Sequence, residues 1–215
     1  MNVSLNQILE MPNAAILAER LRIALAEEQK NRRHFYEIIT EGKKMEFING
    51  EIIFHSPAKL RHTNSVKLLT KLLDTYVFKN DFGYVGGEKM LISLTRNDYE
   101  PDVCFFEKAK SQDFKPDQMQ FPAPDLAIEV LSPSTEKTDR ETKFQDYAAH
   151  GIREYWIVDA KKETIEQYFL QAEEYELLLK AKDGTIQSVV LPDFKIQIRA
   201  AFDEQTNLEE LKRII

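Results

Sequence analysis

Residues 124–159 read PDLAIEVLSPSTEKTDRETKFQDYAAHGIREYWIVD. Leu126 to Leu131 is a short apolar run between a proline and a Ser-Pro-Ser loop, the pattern of a strand buried on both faces. Glu129 interrupts it. A carboxylate in a dry strand is costly unless a metal or a positive partner compensates it, so Glu129 reads as a metal ligand or as half of an ion pair. Thr138, followed three residues later by Glu141, predicts a capping box for a helix running to about His150, with Gly151 as its stop and Lys143 in its first turns. Glu154 to Asp159 is a second buried-looking strand. Strand, helix, strand at this spacing is an α/β unit.

A second acid belongs with the first. Asp102 follows Pro101 at the head of the apolar strand VCFF, so it too sits where a strand leaves a turn. Carboxylates on neighbouring strands converge readily on one ion. Magnesium takes one or two protein carboxylates in octahedral oxygen geometry and leaves room for waters and a substrate phosphate, a set suited to phosphodiester hydrolysis. A lysine beside it orients the nucleophile or stabilises the transition state. Asp125, four residues before Glu129, falls on the same strand face and competes for a ligand role.

The Pro101-Asp102 pair with Glu129 on the next strand resembles the signature of the PD-(D/E)XK nuclease superfamily. The longer pattern PDLAIEVLSPST, Lys143, Tyr147 and GIREYWIVDA is similar to the bacterial Uma-type restriction-endonuclease family within it, over about residues 43–199. The resemblance implies a restriction-endonuclease-like α/β (α+β) fold: an αβββαβ core with a mixed central sheet flanked by helices. It also implies an endonuclease acting on DNA with Mg2+, or Mn2+ as a substitute, with Asp102, Glu129 and Lys143 catalytic and Asp102 and Glu129 holding the metal. One position departs from the superfamily pattern. The lysine slot two residues after Glu129 holds Leu131, and Lys143 on the following helix stands in for it. That departure, together with the acidic balance, also fits a nuclease-fold protein that binds nucleic acid or a protein partner without cutting.

With 215 residues, the chain suits one α/β domain with additions. We expect an N-terminal helical extension over 1–40, the nuclease-like domain over 41–200 and a C-terminal helix or tail over 201–215. The lone Cys104 fits a reducing compartment and reads as a small buried hydrophobe. No apolar run spans a bilayer and the start lacks a secretion signal, so the expectation is a cytoplasmic protein with no membrane partner and no organic cofactor. A homodimer is expected because cutting both strands needs two sites. The net charge of -7 argues against tight nonspecific DNA binding but leaves room for a local basic groove.

In chain order, Asn13 to about Tyr36 reads as a helix with a stripe of Ile16, Leu17, Leu21, Ala24 and Leu25, packed on the core or on a second subunit, with a DNA-contacting arm as the alternative. Met45 to Phe54 is a hairpin about Asn49-Gly50, with Glu46 and Glu51 assigned to solvent, or to the metal if the hairpin borders the cleft. Leu60 to about Phe78 is a helix opened by His62, whose place matches a histidine of the resembling family and borders the site. The proline-bearing segment 108–124 reads as an irregular connection at the cleft mouth. Beyond Asp159 the strands TIEQYFL, YELLLK and TIQSVVL form an antiparallel extension, with a hairpin turn at Asp183-Gly184.

Overall fold

The computed structural model describes residues 4–39 and 42–215. The expected boundary between extension and domain, at residues 40 and 41, lies outside them, as do the first three residues.

The chain opens with α1 (Leu5–Leu9), started by a capping box between Ser4 and Gln7, and continues into α2 (Ala14–Ile38). β1 (Met45–Ile48) and β2 (Glu51–Phe54) form the expected hairpin, with Asn49 at φ 51° and Gly50 at φ 88°, the left-handed pair a type I′ turn demands. α3 (Leu60–Asn80) follows, then β3 (Gly83–Gly87), β4 (Leu91–Ser93), β5 (Asp98–Tyr99) and β6 (Val103–Glu107). A short α4 (Lys108–Ser111) and β7 (Gln120–Phe121) lead to β8 (Leu126–Val130). α5 (Glu136–Thr138), a π turn (Asp139–Lys143) and α6 (Phe144–Ala149) precede β9 (Glu154–Asp159). The rest comprises β10 (Thr164–Gln171), β11 (Glu174–Ala181), β12 (Thr185–Gln187), β13 (Lys195–Gln197) and α7 (Glu204–Ile214).

The main sheet runs β11-β10-β9-β8-β6-β3 and is mixed, β8 and β9 being parallel and the other pairs antiparallel. Helix α3 covers one face, where Leu69, Leu72, Leu73 and Val77 meet Val103, Phe105, Leu126, Ile128, Trp156 and Val158. On the other face Cys104, Phe106, Ala127, Tyr155 and Ile157 pack with Tyr147 of α6 and with a second, smaller sheet, β2-β1-β5-β4-β7. The α/β fold class and its mixed sheet flanked by helices are therefore as the sequence predicts.

Several details differ. The helix after β8 begins at Glu136, with Thr135 and not Thr138 as its cap, because Ser132 and Thr135 exchange backbone-to-hydroxyl bonds and set up the first turn three residues early. Gly151 does end it, at φ 71°. Asp183-Gly184 joins β11 to β12, which belong to different sheets, so it is a corner and not a hairpin; β11 pairs with β10 and β12 with β13. In α2 only Arg32 and Phe35 are buried, and Ile16, Leu17, Leu21 and Leu25 are exposed, so that half of the helix does not pack on the core. The helix is held at its far end, where Arg32 grips Asp98 at 2.6 and 2.9 Å and the Leu94 carbonyl at 2.7 Å.

The helix carrying Lys143 is pinned to the sheet by Glu166 of β10. Both Glu166 oxygens accept from Arg140 at 2.9 Å, and Tyr168 and Lys180 add to them. These bonds, led by Arg140 and opposed by burial, lower the Glu166 pKa from 4.5 to about 2. A depressed carboxyl contributes stability that is full above its unfolded value and lost as pH falls through its folded value. Acid unfolding of the native chain should therefore steepen between about pH 4.5 and pH 2, and Glu166→Gln should flatten that part of a denaturant-midpoint against pH curve.

Candidate active site

β6 and β8 pair antiparallel with Val103 opposite Ile128, which sets Asp102 opposite Glu129. Directly opposed residues of an antiparallel pair project to one face. The two acids consequently stand side by side, on the face that carries Cys104 and Ala127, at the floor of a cavity of about 680 Å³. Where β6 gives out after Pro101, the Asp102 side chain carries the ladder one step further: Oδ2 accepts the Val130 amide at 2.9 Å. Asp102 Oδ2 also lies 3.1 Å from His62 Nε2, and Oδ1 accepts from Lys44 Nζ at 2.9 Å. Burial works to raise the Asp102 pKa, but the His62 bond and the Lys44 charge outweigh it and hold the carboxyl well below its ordinary range. His62 is raised in turn, its Asp102 contacts exceeding the effect of burial.

Lys143 is buried, and its ammonium touches Glu129 Oε1 and Glu46 Oε1, each at 2.9 Å, with Asp139 Oδ1 at 3.5 Å. The π turn makes this possible. Its fifth residue turns inward together with its first, so Asp139 and Lys143 both reach the cavity wall, while the Tyr155 hydroxyl bonds the Asp139 carbonyl at 3.0 Å. Tyr147, one turn further on, donates to Glu129 Oε1 at 2.8 Å. Burial lowers the Lys143 pKa, yet Glu129, Glu46 and Asp139 together raise it well above its ordinary value. Burial pushes Glu129 up to about 8 against the pull of Lys143, and Asp139 is raised by the same cause. Glu46 goes the other way, to about 2, because Lys143 and His55 overcome its burial.

Four buried carboxylates, Glu46, Asp102, Glu129 and Asp139, thus share two lysine ammoniums. Asp139 Oδ1 is buried without a hydrogen-bond partner. Oxygen donors short of positive charge fit a hard divalent cation. Among the described residues no group of three His, Cys, Asp or Glu side chains is arranged to hold a metal. That is compatible with magnesium, which needs one or two carboxylates, and not with a closed zinc site.

A family model described as "Uma2: Putative restriction endonuclease" matches residues 32–199. The chain belongs to the Uma2 family. Its fold is shared with a protein of Anabaena variabilis ATCC 29413, described as "a putative nuclease belonging to DUF820", whose crystal structure superposes with a TM-score of 0.67 at 19% identity, over 78% of this chain and 94% of that one. No curated protein matches the sequence.

In this Uma2 chain Asp102, Glu129, Lys143 and His62 line one cavity. Asp125 does not. It lies at the opposite end of β8, where Oδ2 accepts the Glu107 amide at 2.8 Å and Oδ1 meets Arg153 at 3.1 Å and Lys110 at 3.0 Å. Four residues of extended chain carry it to the other end of this inner strand, so it is a structural anchor. Asp125→Asn should lower stability by about 1–2 kcal/mol, read from denaturant unfolding, and leave nuclease activity unchanged. Nor does the segment 108–124 line the cavity, whose walls come from residues 42–44, 54–59, 88–89 and 132–135.

Three members of the site, Glu46, Lys44 and Asp139, were missed. Glu46 was assigned to solvent, but β1 is an inner strand of the second sheet, buried at all four residues, because β5 pairs along its other edge. A hairpin pattern alone does not reveal a third strand. Lys44, next to the hairpin, carried no distinguishing signal. Glu51, by contrast, is exposed as expected.

Proposed function

We propose that this Uma2 protein is a magnesium-dependent endonuclease that hydrolyses phosphodiester bonds of DNA, with manganese as a substitute ion, and that it works as a homodimer so that two sites address two strands. Membership of the family supports nuclease action. The observation that carries the reading is the placement of Asp102 and Glu129 side by side on paired strands, with the Lys143 ammonium 2.9 Å from Glu129.

Asp102 and Glu129 would hold the ion. When bound, it supplies a Lewis acid and lowers the pKa of a water. Lys143, fixed by Glu46 and Asp139, is placed to orient the attacking water and to offset charge building up on the phosphate. His62 and Lys44 keep Asp102 ionised and oriented. The exposed lysines of the rim, Lys43, Lys59 and Lys89, give the strand backbone a positive approach to an acidic floor, although the whole chain is acidic.

Supercoiled plasmid incubated with the protein and magnesium or manganese should convert to nicked circles; no conversion with either ion rejects the reading. The Lys143–Glu129 contact, together with Leu131 in the usual lysine slot, favours a second one: a nuclease-fold protein that binds nucleic acid or a protein partner without cutting. Calorimetric titration separates the two. Heat of magnesium binding that disappears in Asp102→Asn supports the enzyme, and no binding heat in the native chain supports the non-cutting protein.

A further inference from the structure

Holding Asp102 is one task of Lys44, and its surroundings fit it for another. The site contains two lysines that are placed very differently. The Lys143 side chain is 3% exposed, and its ammonium is enclosed by Glu129, Glu46 and Asp139. The Lys44 side chain is 23% exposed, and its ammonium meets a single carboxylate oxygen, Asp102 Oδ1, at 2.9 Å. The Lys44 backbone is fixed by the bond from the His55 amide to its carbonyl. Only the flexible four-carbon stem has to move for the charge to change partners.

The oxygens of Asp102 say which lysine must move. Oδ2 accepts the Val130 amide at 2.9 Å and faces His62 Nε2 at 3.1 Å, so both of its lone pairs are in use. Oδ1 is therefore the oxygen with a lone pair to give to an ion, and it is the one Lys44 holds. A divalent cation and an ammonium on one oxygen repel each other at short range. Lys143 can stay, because Glu46 and Asp139 keep it when Glu129 turns to the ion. Lys44 has no second carboxylate in contact among the described residues. The negative charge nearest to hand is then the one the substrate brings. A compact ammonium with three donors suits a phosphate oxygen. Resting on the nuclease reading, we infer that Lys44 is a second catalytic lysine: it gives up Asp102 Oδ1 when that oxygen is committed to the ion, and donates instead to a non-bridging oxygen of the scissile phosphate, where its charge offsets the charge that builds up during attack.

The test labels the full native chain briefly with an amine-acylating reagent and reads modification of Lys44 by mass spectrometry, with the exposed Lys71 of α3 as the reference. Magnesium alone should raise Lys44 modification several-fold, and a hydrolysis-resistant phosphorothioate duplex added with it should bring the modification back down; Lys71 should respond to neither. In a second arm, Lys44→Met should bind magnesium at least as tightly as the native chain, by calorimetry, and nick plasmid roughly 100-fold more slowly at saturating magnesium. Lys44 modification that magnesium does not raise, or that the duplex does not reduce, overturns the inference. So does nicking at the native rate in Lys44→Met, and so does weaker magnesium binding, which would make the lysine a prop for Asp102 and nothing more. The labelling arm needs no variant, so a folding defect in Lys44→Met cannot produce its result. The two readings fail separately: native nicking with Lys44 modification indifferent to magnesium leaves the nuclease and removes this role, whereas no nicking with either ion removes the nuclease and the catalytic role with it.

Discussion

Asp102→Asn and Glu129→Gln are each expected to lower plasmid nicking at least about 100-fold while the protein stays folded, and the double variant is expected to be no worse than either alone. The amide substitutions are chosen because they preserve shape. An asparagine carbonyl at 102 still accepts the Val130 amide, and a glutamine at 129 still accepts from Tyr147, so the paired strands keep their bonds. What disappears is negative charge at the floor of the cavity. Loss of nicking should therefore coincide with loss of magnesium binding heat, while each variant still melts cooperatively, Asp102→Asn at a lowered midpoint because Lys44 and His62 lose their ionised partner. Nicking that persists in both variants removes these residues from the chemistry.

Lys143→Met should produce the second large effect, on stability as well as activity. The methionine fills most of the space, but Glu46, Glu129 and Asp139 then stay buried without the ammonium they share. Removing one partner of a buried ion cluster costs about 3–5 kcal/mol. The penalty should depend on pH in a definite direction. Without the lysine all three carboxyls are raised by burial above their unfolded values, so the folded state binds more protons than the unfolded one. Stability is then fullest below the ordinary carboxyl range and falls as pH rises through the folded-state values; Glu129 already stands near 8 with the lysine present. Urea unfolding in chelator should show a small deficit at pH 5 and a much larger one at pH 8. A deficit independent of pH would mean that packing, and not charge, explains the loss.

The parts of this site that were legible in the sequence are those where a charge violates its surroundings. Glu129 inside LAIEVL and Asp102 ahead of VCFF stand out because an apolar strand tolerates no acid without a compensating partner, and both lie at the cavity floor. Lys143 carried no such signal of its own and was singled out by the family resemblance, which takes the lysine from the following helix. Glu46 was illegible for the opposite reason: in MEFINGEIIF it occupies the polar beat of an alternating strand, and only the pairing of β5 with β1, residues distant in sequence, encloses it. Asp125 misled because the alternation of a strand gives the face of a residue but not which end of the sheet it reaches. The start of the helix after β8 was misplaced because two capping patterns overlap there, and the Ser132–Thr135 exchange prevailed over Thr138 with Glu141. The exposed apolar half of α2 illustrates a further limit, since a periodic stripe predicts a helix without saying what covers it.

The bond from the Val130 amide to Asp102 ties one acid to the residue immediately after the other. The gap between the two acids is thereby inherited from the rise and spacing of hydrogen-bonded strands, and no loop takes part in setting it. Insertions or exchanges in the segments 54–59, 88–89 and 132–135 can reshape the entrance without altering the spacing of the two acids. A protein built this way is free to change what it admits while keeping what it does.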